Sequence, residues 1–279
     1  MSLTALHIAG YEWLDWSLRP DVILLCILLG GAYYYAVTQL RPRISDAGPV
    51  KRSQVIYYAL GVLTIYAAAG SPLHNLADEY LASAHMFQHV LLTLVAAPLL
   101  LAGIPAWVWR ALLRVRGVLP VARLLTRPLM ALVVFNAVMI LVHLPSAVDL
   151  QLREWWFHLF AHSSLLLAGL VLWWPVLSSV PELPRLAYPI QMGYLFLQSL
   201  VPAVMASFIT FSDRVVYQAY AEAPRIWGLS PLDDQQIAGG IMKLLGTIIL
   251  WCFITVAFFK WYEREEGEAR GPHWQEAKE

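Results

Sequence analysis

Five of the eight histidines fall within or at the ends of long apolar runs: His85, His89, His143, His158 and His162. Four of them form two HxxxH pairs, His85-Met86-Phe87-Gln88-His89 and His158-Leu159-Phe160-Ala161-His162. On a helix, residues four apart share one face, about 6 Å from each other along the axis. Each pair can therefore chelate one ion, or its two imidazoles can serve separate ions. A single histidine at a helix end ordinarily just hydrogen-bonds to a loop or to water. Two pairs on different helices at matched depth point instead to ligation of a metal or a haem. His143 closes a further apolar run and His74 lies in a nearby loop, which makes both additional candidates. His7 and His273 lie near the termini and are assigned no role. Neither pair is HExxH: Met86 and Leu159 stand where the zincins place a general base, which argues against a zinc protease.

Imidazole suits copper, zinc, iron and nickel, whereas thioether sulfur selects Cu(I). Met86, Met139, Met205 and Met242 fall toward the same ends of their apolar runs as the histidines. Met86 and Met242 are the thioether candidates, although methionine in apolar helices mostly packs. Two other chemistries stay open. One is a seven-span zinc-dependent hydrolase, with Ser83 and Asp78 beside the histidines and a metal-activated water. The other is a bis-histidine haem protein, which a spacing of four suits less well than one of about thirteen. Cys26 and Cys252 lie far apart and form no CxxC motif or disulfide framework.

The elements that must position these residues are membrane helices. Hydrophobic residues make up 59% of the 279-residue chain and charged ones only 14%, against about 25% charged in soluble domains. The mean hydropathy is +0.59. Seven stretches approach the roughly 20 apolar residues needed to cross a bilayer, at about 21–40, 53–70, 84–104, 128–145, 155–175, 187–211 and 236–259. The second and fourth are short. No linker or repeat divides the chain, so one all-α membrane domain, a bundle of seven helices, is expected over 1–279. No basic segment leads directly into an apolar one at the N-terminus, so no cleavable signal peptide is expected.

Charge orients the bundle. Arg41, Arg43, Lys51, Arg52, Arg110, Arg114, Arg116, Arg123, Arg127, Arg185, Lys260, Arg264, Arg270 and Lys278 all fall on one side of a seven-span arrangement, fourteen of the nineteen basic residues. The positive-inside rule puts that side in the cytoplasm, with the N-terminus outside and the C-terminus inside. All the candidate histidines then lie in the outer half. Trp13, Trp16, Trp155, Trp156, Trp173, Trp174 and Trp261 lie near span ends, as an aromatic belt would. Asp233 or Asp234 is placed to cap the last helix, Gly239 and Gly240 to allow close helix approach, and residues 261–279 form a polar, frayed cytoplasmic tail. Lys243 either snorkels outward or stands beside the histidines. The formal net charge is zero, which offers nothing to nucleic acid.

The stretches Gly70-Ser-Pro-Leu-His74, Ser83-Ala-His85-Met86-Phe-Gln-His89 and Ala97-Pro98 through Gly103-Ile-Pro105 resemble the CtaG family of caa3-type cytochrome c oxidase assembly factors. Asp234-Gln-Gln236 with Gly239-Gly240-Ile-Met242-Lys243, and Trp173-Trp174-Pro175, fit the same family. The resemblance covers about residues 55–260 and, through the pairing of the first and last motifs, is fairly specific. It implies a seven-span, non-enzymatic protein of the bacterial inner membrane. It also implies copper handling on the outer face and delivery to the oxidase subunit that carries the copper centre. His85, Met86 and His89 match the family motif directly. Membrane lipid and that oxidase subunit are the implied partners. A copper donor protein and a second copy of the chain are further partners to consider.

Overall fold

The computed structural model describes residues 19–44 and 47–270, and every regular element among them is helical. Trp13, Trp16, His7, His273 and Lys278 lie outside the described residues. Helix α1 (Pro20–Tyr35) runs on through a π turn to Arg43. It is followed by α2 (Arg52–Ala69), α3 (Pro72–Glu79) and α4 (Ala82–Val90). A π segment, Leu91–Ala96, joins α4 to α5 (Ala97–Gly103), and the three make one 22-residue rod. Next come α6 (Ala106–Leu113), α7 (Val118–Leu125), α8 (Pro128–Val142), α9 (Pro145–Arg153) and α10 (Trp155–Leu177). The chain closes with α11 (Tyr188–Thr210), α12 (Gln218–Glu222) and α13 (Pro231–Arg270).

Five helices are individually long and apolar enough to cross a membrane, and seven if each of two bent pairs counts as one span. The bent pairs are α2 with α3, at 42°, and α7 with α8, at 81°. These are the two stretches that the hydropathy reading finds short. At 1.5 Å per residue the 15 residues of α8 reach only about 22 Å, less than a hydrocarbon core of roughly 30 Å. The chain is a multi-pass membrane protein. Its spans are apolar all round, and large side chains remain bare on the outside of the bundle, among them Leu28 (59% exposed), Leu129 (74%) and Phe208 (76%). That is the pattern of helices whose outer faces meet lipid rather than water.

Prolines start many of the helices, at N1 or N2 of α1, α3, α8 and α11, where a missing N–H costs nothing. Ser71 caps α3 by accepting from the Leu73 amide at 3.2 Å. Two ends of the bundle can be told apart. Tyr33 near the end of α1 donates to the Gly103 carbonyl at the end of α5 (3.2 Å), and Arg110 pairs with Glu182 at 3.4 Å. At the opposite end Arg19 borders a cavity with His74 and His158. The former is the arginine end, the latter the histidine end.

Close packing depends on glycine at two crossings. A Cβ on Gly103 would lie 2.5 Å from the Tyr58 amide nitrogen, and one on Gly239 would lie 2.8 Å from the Ala206 carbonyl oxygen and the Thr210 nitrogen. Gly240, expected to share this role, has open space around it. The tryptophans also separate. Trp155 and Trp156 are exposed at the start of α10, as a belt requires, but Trp173 and Trp174 are buried in the core. Trp173 Nε1 donates to the Thr93 carbonyl (2.9 Å) and Trp174 Nε1 to the Leu183 carbonyl (3.3 Å), so their polar edges are satisfied inside the bundle. The expected frayed tail is instead helical through Arg270. Pairs four residues apart hold it, Trp261 with Glu265 (3.1 Å) and Arg264 with Glu268 (2.9 Å).

Candidate metal centre

The histidine-bearing turn of α4 is held by a carboxylate from the far end of the sequence. The Asp234 carboxylate accepts from the amides of Ala82 (2.7 Å) and Ser83 (3.2 Å) and from the Ser83 hydroxyl. These amides open α4, where the helix lacks partners of its own and its dipole is positive. Asp234 is only 1% exposed, so without these bonds its charge would be buried unpaired. It does not cap its own helix. Ser230 does, accepting from the Asp233 amide (3.1 Å) while its hydroxyl donates to the Asp233 carboxylate (2.6 Å). The clamp between α13 and α4 sets the depth of α4 and turns His85 and His89 inward. Directly after His89 the backbone widens into the π segment. Thr93 Oγ1 donates to the His89 carbonyl at 2.6 Å, and Pro98 has no N–H to return to this turn.

Six buried histidines converge at this end of the bundle: His74, His85, His89, His143, His158 and His162. The His85 ring centroid lies 4.3 Å from that of His89, 5.6 Å from that of His162 and 6.2 Å from that of His158. His89 and His162 are 5.3 Å apart by the same measure, and His89 and His143 are 5.0 Å apart. The two HxxxH pairs thus face each other across the bundle. Two groups bring ligand atoms within 4.8 Å of one another: His85, His89 and His162, all buried, and His74, Asp78 and His158, with Asp78 half-buried. Three nitrogens at 2.0–2.1 Å from one ion lie about 3.5 Å apart, which small ring rotations would reach.

Both nitrogens of His85, Nε2 of His89 and Nε2 of His162 are buried without a hydrogen-bond partner among the described residues. Buried polar atoms are normally satisfied, and here four orphan nitrogens cluster on three facing rings, with His74 Nε2 a fifth orphan beside them. Their chemistry, three neutral imidazoles with no thiolate, fits copper or zinc.

The methionine candidates border this centre on one side. Met86 and Met242 line a cavity of about 50 Å³ together with Met139, His89 and His143. Across the histidines a second cavity, about 60 Å³, is bordered by Arg19, Asp21, His74, His158 and His162. Both spaces suit an ion or waters. Lys243 stands apart from the histidines: its Nζ donates to the Ser207 hydroxyl (3.1 Å) and lies 5.5 Å from the centroid of the Phe211 ring, beside an open groove. Ser83, a candidate for hydrolytic chemistry, has its hydroxyl committed to Asp234.

Sequence reasoning overlooked several residues here. Gln88, inside the first HxxxH pair, is fully buried and places its amide nitrogen on the Ala68 carbonyl (2.5 Å) and 3.3 Å from His74 Nδ1. Tyr217 Oη donates to the His143 carbonyl (3.2 Å), and burial pushes its pKa up to about 12, so the phenol remains a donor. Tyr220 Oη donates to the Ala77 carbonyl (2.6 Å) with its ring against His85. A polar residue such as Gln88 on the same apolar turn as two histidines was the available signal. The tyrosines sit in a connection without periodicity and gave none.

The model of the cytochrome c oxidase caa3 assembly factor family matches residues 31–264. The chain belongs to this family. The match takes in every helix that carries a centre residue. An uncharacterized protein of Mycobacterium bovis and one of Mycobacterium tuberculosis are each 26% identical over 255 residues, 86% of this chain. The chain spans 38% of the length of these curated relatives. No solved structure matches.

Proposed function

We propose that this chain assists assembly of a caa3-type cytochrome c oxidase by holding one copper ion at His85, His89 and His162 and passing it to the oxidase subunit that carries the copper centre. The observation that carries this reading is the convergence of unpartnered nitrogens on three buried, facing imidazoles. The family name supplies the oxidase and the ligand set supplies the metal. In this reading the protein lies in the bacterial inner membrane with its N-terminus and histidine end outside, and it acts without turnover.

Charge favours Cu(I) over a divalent ion. The solvation cost of burying an ion grows with the square of its charge, and the three ligands are neutral. Monovalent copper is content with two or three soft or borderline donors, and Met86, Met139 and Met242 stand on the flank where a thioether could replace an imidazole during transfer. A site of three neutral ligands also suits a carrier that must release its cargo.

The test is elemental analysis of the full chain purified after copper loading. About one copper per chain is expected, falling to background in H85A/H89A. Equal copper in both proteins, or zinc in place of copper, would sink the assignment. In cells the same variant should leave the oxidase short of copper while its polypeptides are made.

A further inference from the structure

Two groups of three residues have metal-ligand spacing, and their hydrogen bonds distinguish them. Each neutral imidazole carries one N–H and one lone pair, so a fixed acceptor at one nitrogen dictates the role of the other. The Met139 carbonyl can only accept, so His143 Nδ1 donates to it at 2.7 Å. His143 Nε2 is then a lone pair and accepts from His89 Nδ1 at 3.2 Å, which leaves His89 Nε2 bare. A parallel chain runs through α10. Asp78 Oδ2 lies 3.5 Å from His158 Nδ1, an acidic oxygen at a distance that favours the proton on that nitrogen. His158 Nε2 then accepts from His162 Nδ1 at 3.2 Å, which leaves His162 Nε2 bare. Both bare nitrogens lack a hydrogen-bond partner among the described residues, and their rings lie beside His85.

The third residue of the other group is arranged the opposite way. Gln88 gives its amide N–H to the Ala68 carbonyl, so the group facing His74 Nδ1 is also an N–H, and Nδ1 must accept. His74 Nε2 then carries the proton and lies 3.2 Å from Asp78 Oδ2 without making a hydrogen bond to it. Both nitrogens that face Asp78 are therefore N–H groups, and that group offers an ion no imidazole lone pair.

We infer that the chain holds a single ion on three nitrogens, one of His85 with Nε2 of His89 and of His162, and that Asp78, His158 and His143 are positioning residues that lock the tautomers of the ligands. This inference rests on the copper reading above. Asp78 also places a carboxyl group two imidazoles away from the ion, an extended form of the carboxylate–histidine–metal arrangement. Loss of such partners typically costs about 10–100-fold in metal affinity without removing the site.

The experiment is Cu(I) titration of the full chain in detergent against a chromophoric competitor, with X-ray absorption of the loaded protein. Wild type is expected to bind one Cu(I), with nitrogen donors alone in the first shell. H74A and D78N should also bind one, D78N about tenfold more weakly, with the same first shell. H158A should weaken binding by about 10–100-fold. H158Q, whose amide oxygen can stand where Nε2 accepted, should recover most of that loss, which a merely structural role would not predict. A second equivalent in wild type that disappears in H74A or D78N would overturn the inference, because the other group would then be an ion site. So would H158Q binding as weakly as H158A while melting like wild type. Absence of stoichiometric Cu(I) from wild type, or its full retention in H85A/H89A, would instead overturn the copper reading itself.

Discussion

At the scale of single residues, the centre depends on who donates to whom. His85 stands out because neither of its nitrogens has a hydrogen-bond partner among the described residues, so it has no role in the hydrogen-bond chains and is free for the proposed ligand role. H85A should therefore abolish ion binding while changing the melting temperature little in the ion-free protein. A thermal melt with and without copper would separate the two effects. Asp234 has the opposite profile. D234A removes the acceptor for two backbone amides and a hydroxyl at the start of α4. Loss of a charged, buried acceptor should cost about 1–3 kcal/mol, read as a lower melting temperature in the same detergent. Ion binding should weaken as well, since α4 then loses its fixed depth. D234N, which keeps one carbonyl oxygen, should fall between the two.

At the scale of elements, each proposed ligand is delivered by a helix whose position is fixed by something outside it. Rod α4–α5 is fixed at its start by Asp234 and along its length by glycine contacts: a Cβ added to Gly169 of α10 would lie 3.0 Å from Ala97 Cβ, and Gly103 lies against Tyr58. Substituting Gly103 by alanine should destabilise the bundle by about 1–3 kcal/mol through overpacking against backbone that has nowhere to go. Gly240→Ala, with open space around it, should stay within about 0.5 kcal/mol of wild type. A melting comparison of the two variants checks the packing directly. Equal effects would mean that the α2–α5 crossing is looser than described.

Legibility from sequence was uneven at this scale. The apolar periods of α10, α11 and the α4–α5 rod were plain, since a membrane span must be long and continuously apolar to satisfy its own backbone. The bends at α2–α3 and α7–α8 were legible only as shortness. The helical run to Arg270 was missed because a polar composition looks like a tail, while Glu265 and Glu268 support it locally from one turn away. The position of Trp173 and Trp174 along the chain is that of belt residues. Only packing shows that carbonyls inside the bundle take their N–H groups.

At the scale of the whole molecule, the asymmetry of charge and the asymmetry of histidine coincide. Arginines of the 110–127 segment gather at the end opposite the centre, and the acidic Asp213 is 92% exposed near the histidine end. In a background with Cys26 and Cys252 replaced by serine, a cysteine placed at position 213 should be labelled from outside intact cells by an impermeant thiol reagent. One at position 116 should react only after lysis. The reverse pattern would invert the bundle and put the centre on the cytoplasmic side, where an outward-acting copper carrier could not use it.

The sequence by itself determined that this is a helical membrane protein, how its ends differ in charge, and that two HxxxH pairs occupy matched depths. Those properties follow from residue type and local spacing, because the bilayer tests every span for length and apolarity one helix at a time. Only the tertiary structure decided that His85, His89 and His162 meet while His74 lies beside Asp78. It also decided that Asp234 serves α4 rather than its own helix. Such pairings join residues up to 152 positions apart. The depth of a residue along its own helix does not specify which neighbour it faces. Rotation about each helix axis decides that, and glycine contacts and the Asp234 clamp set it here.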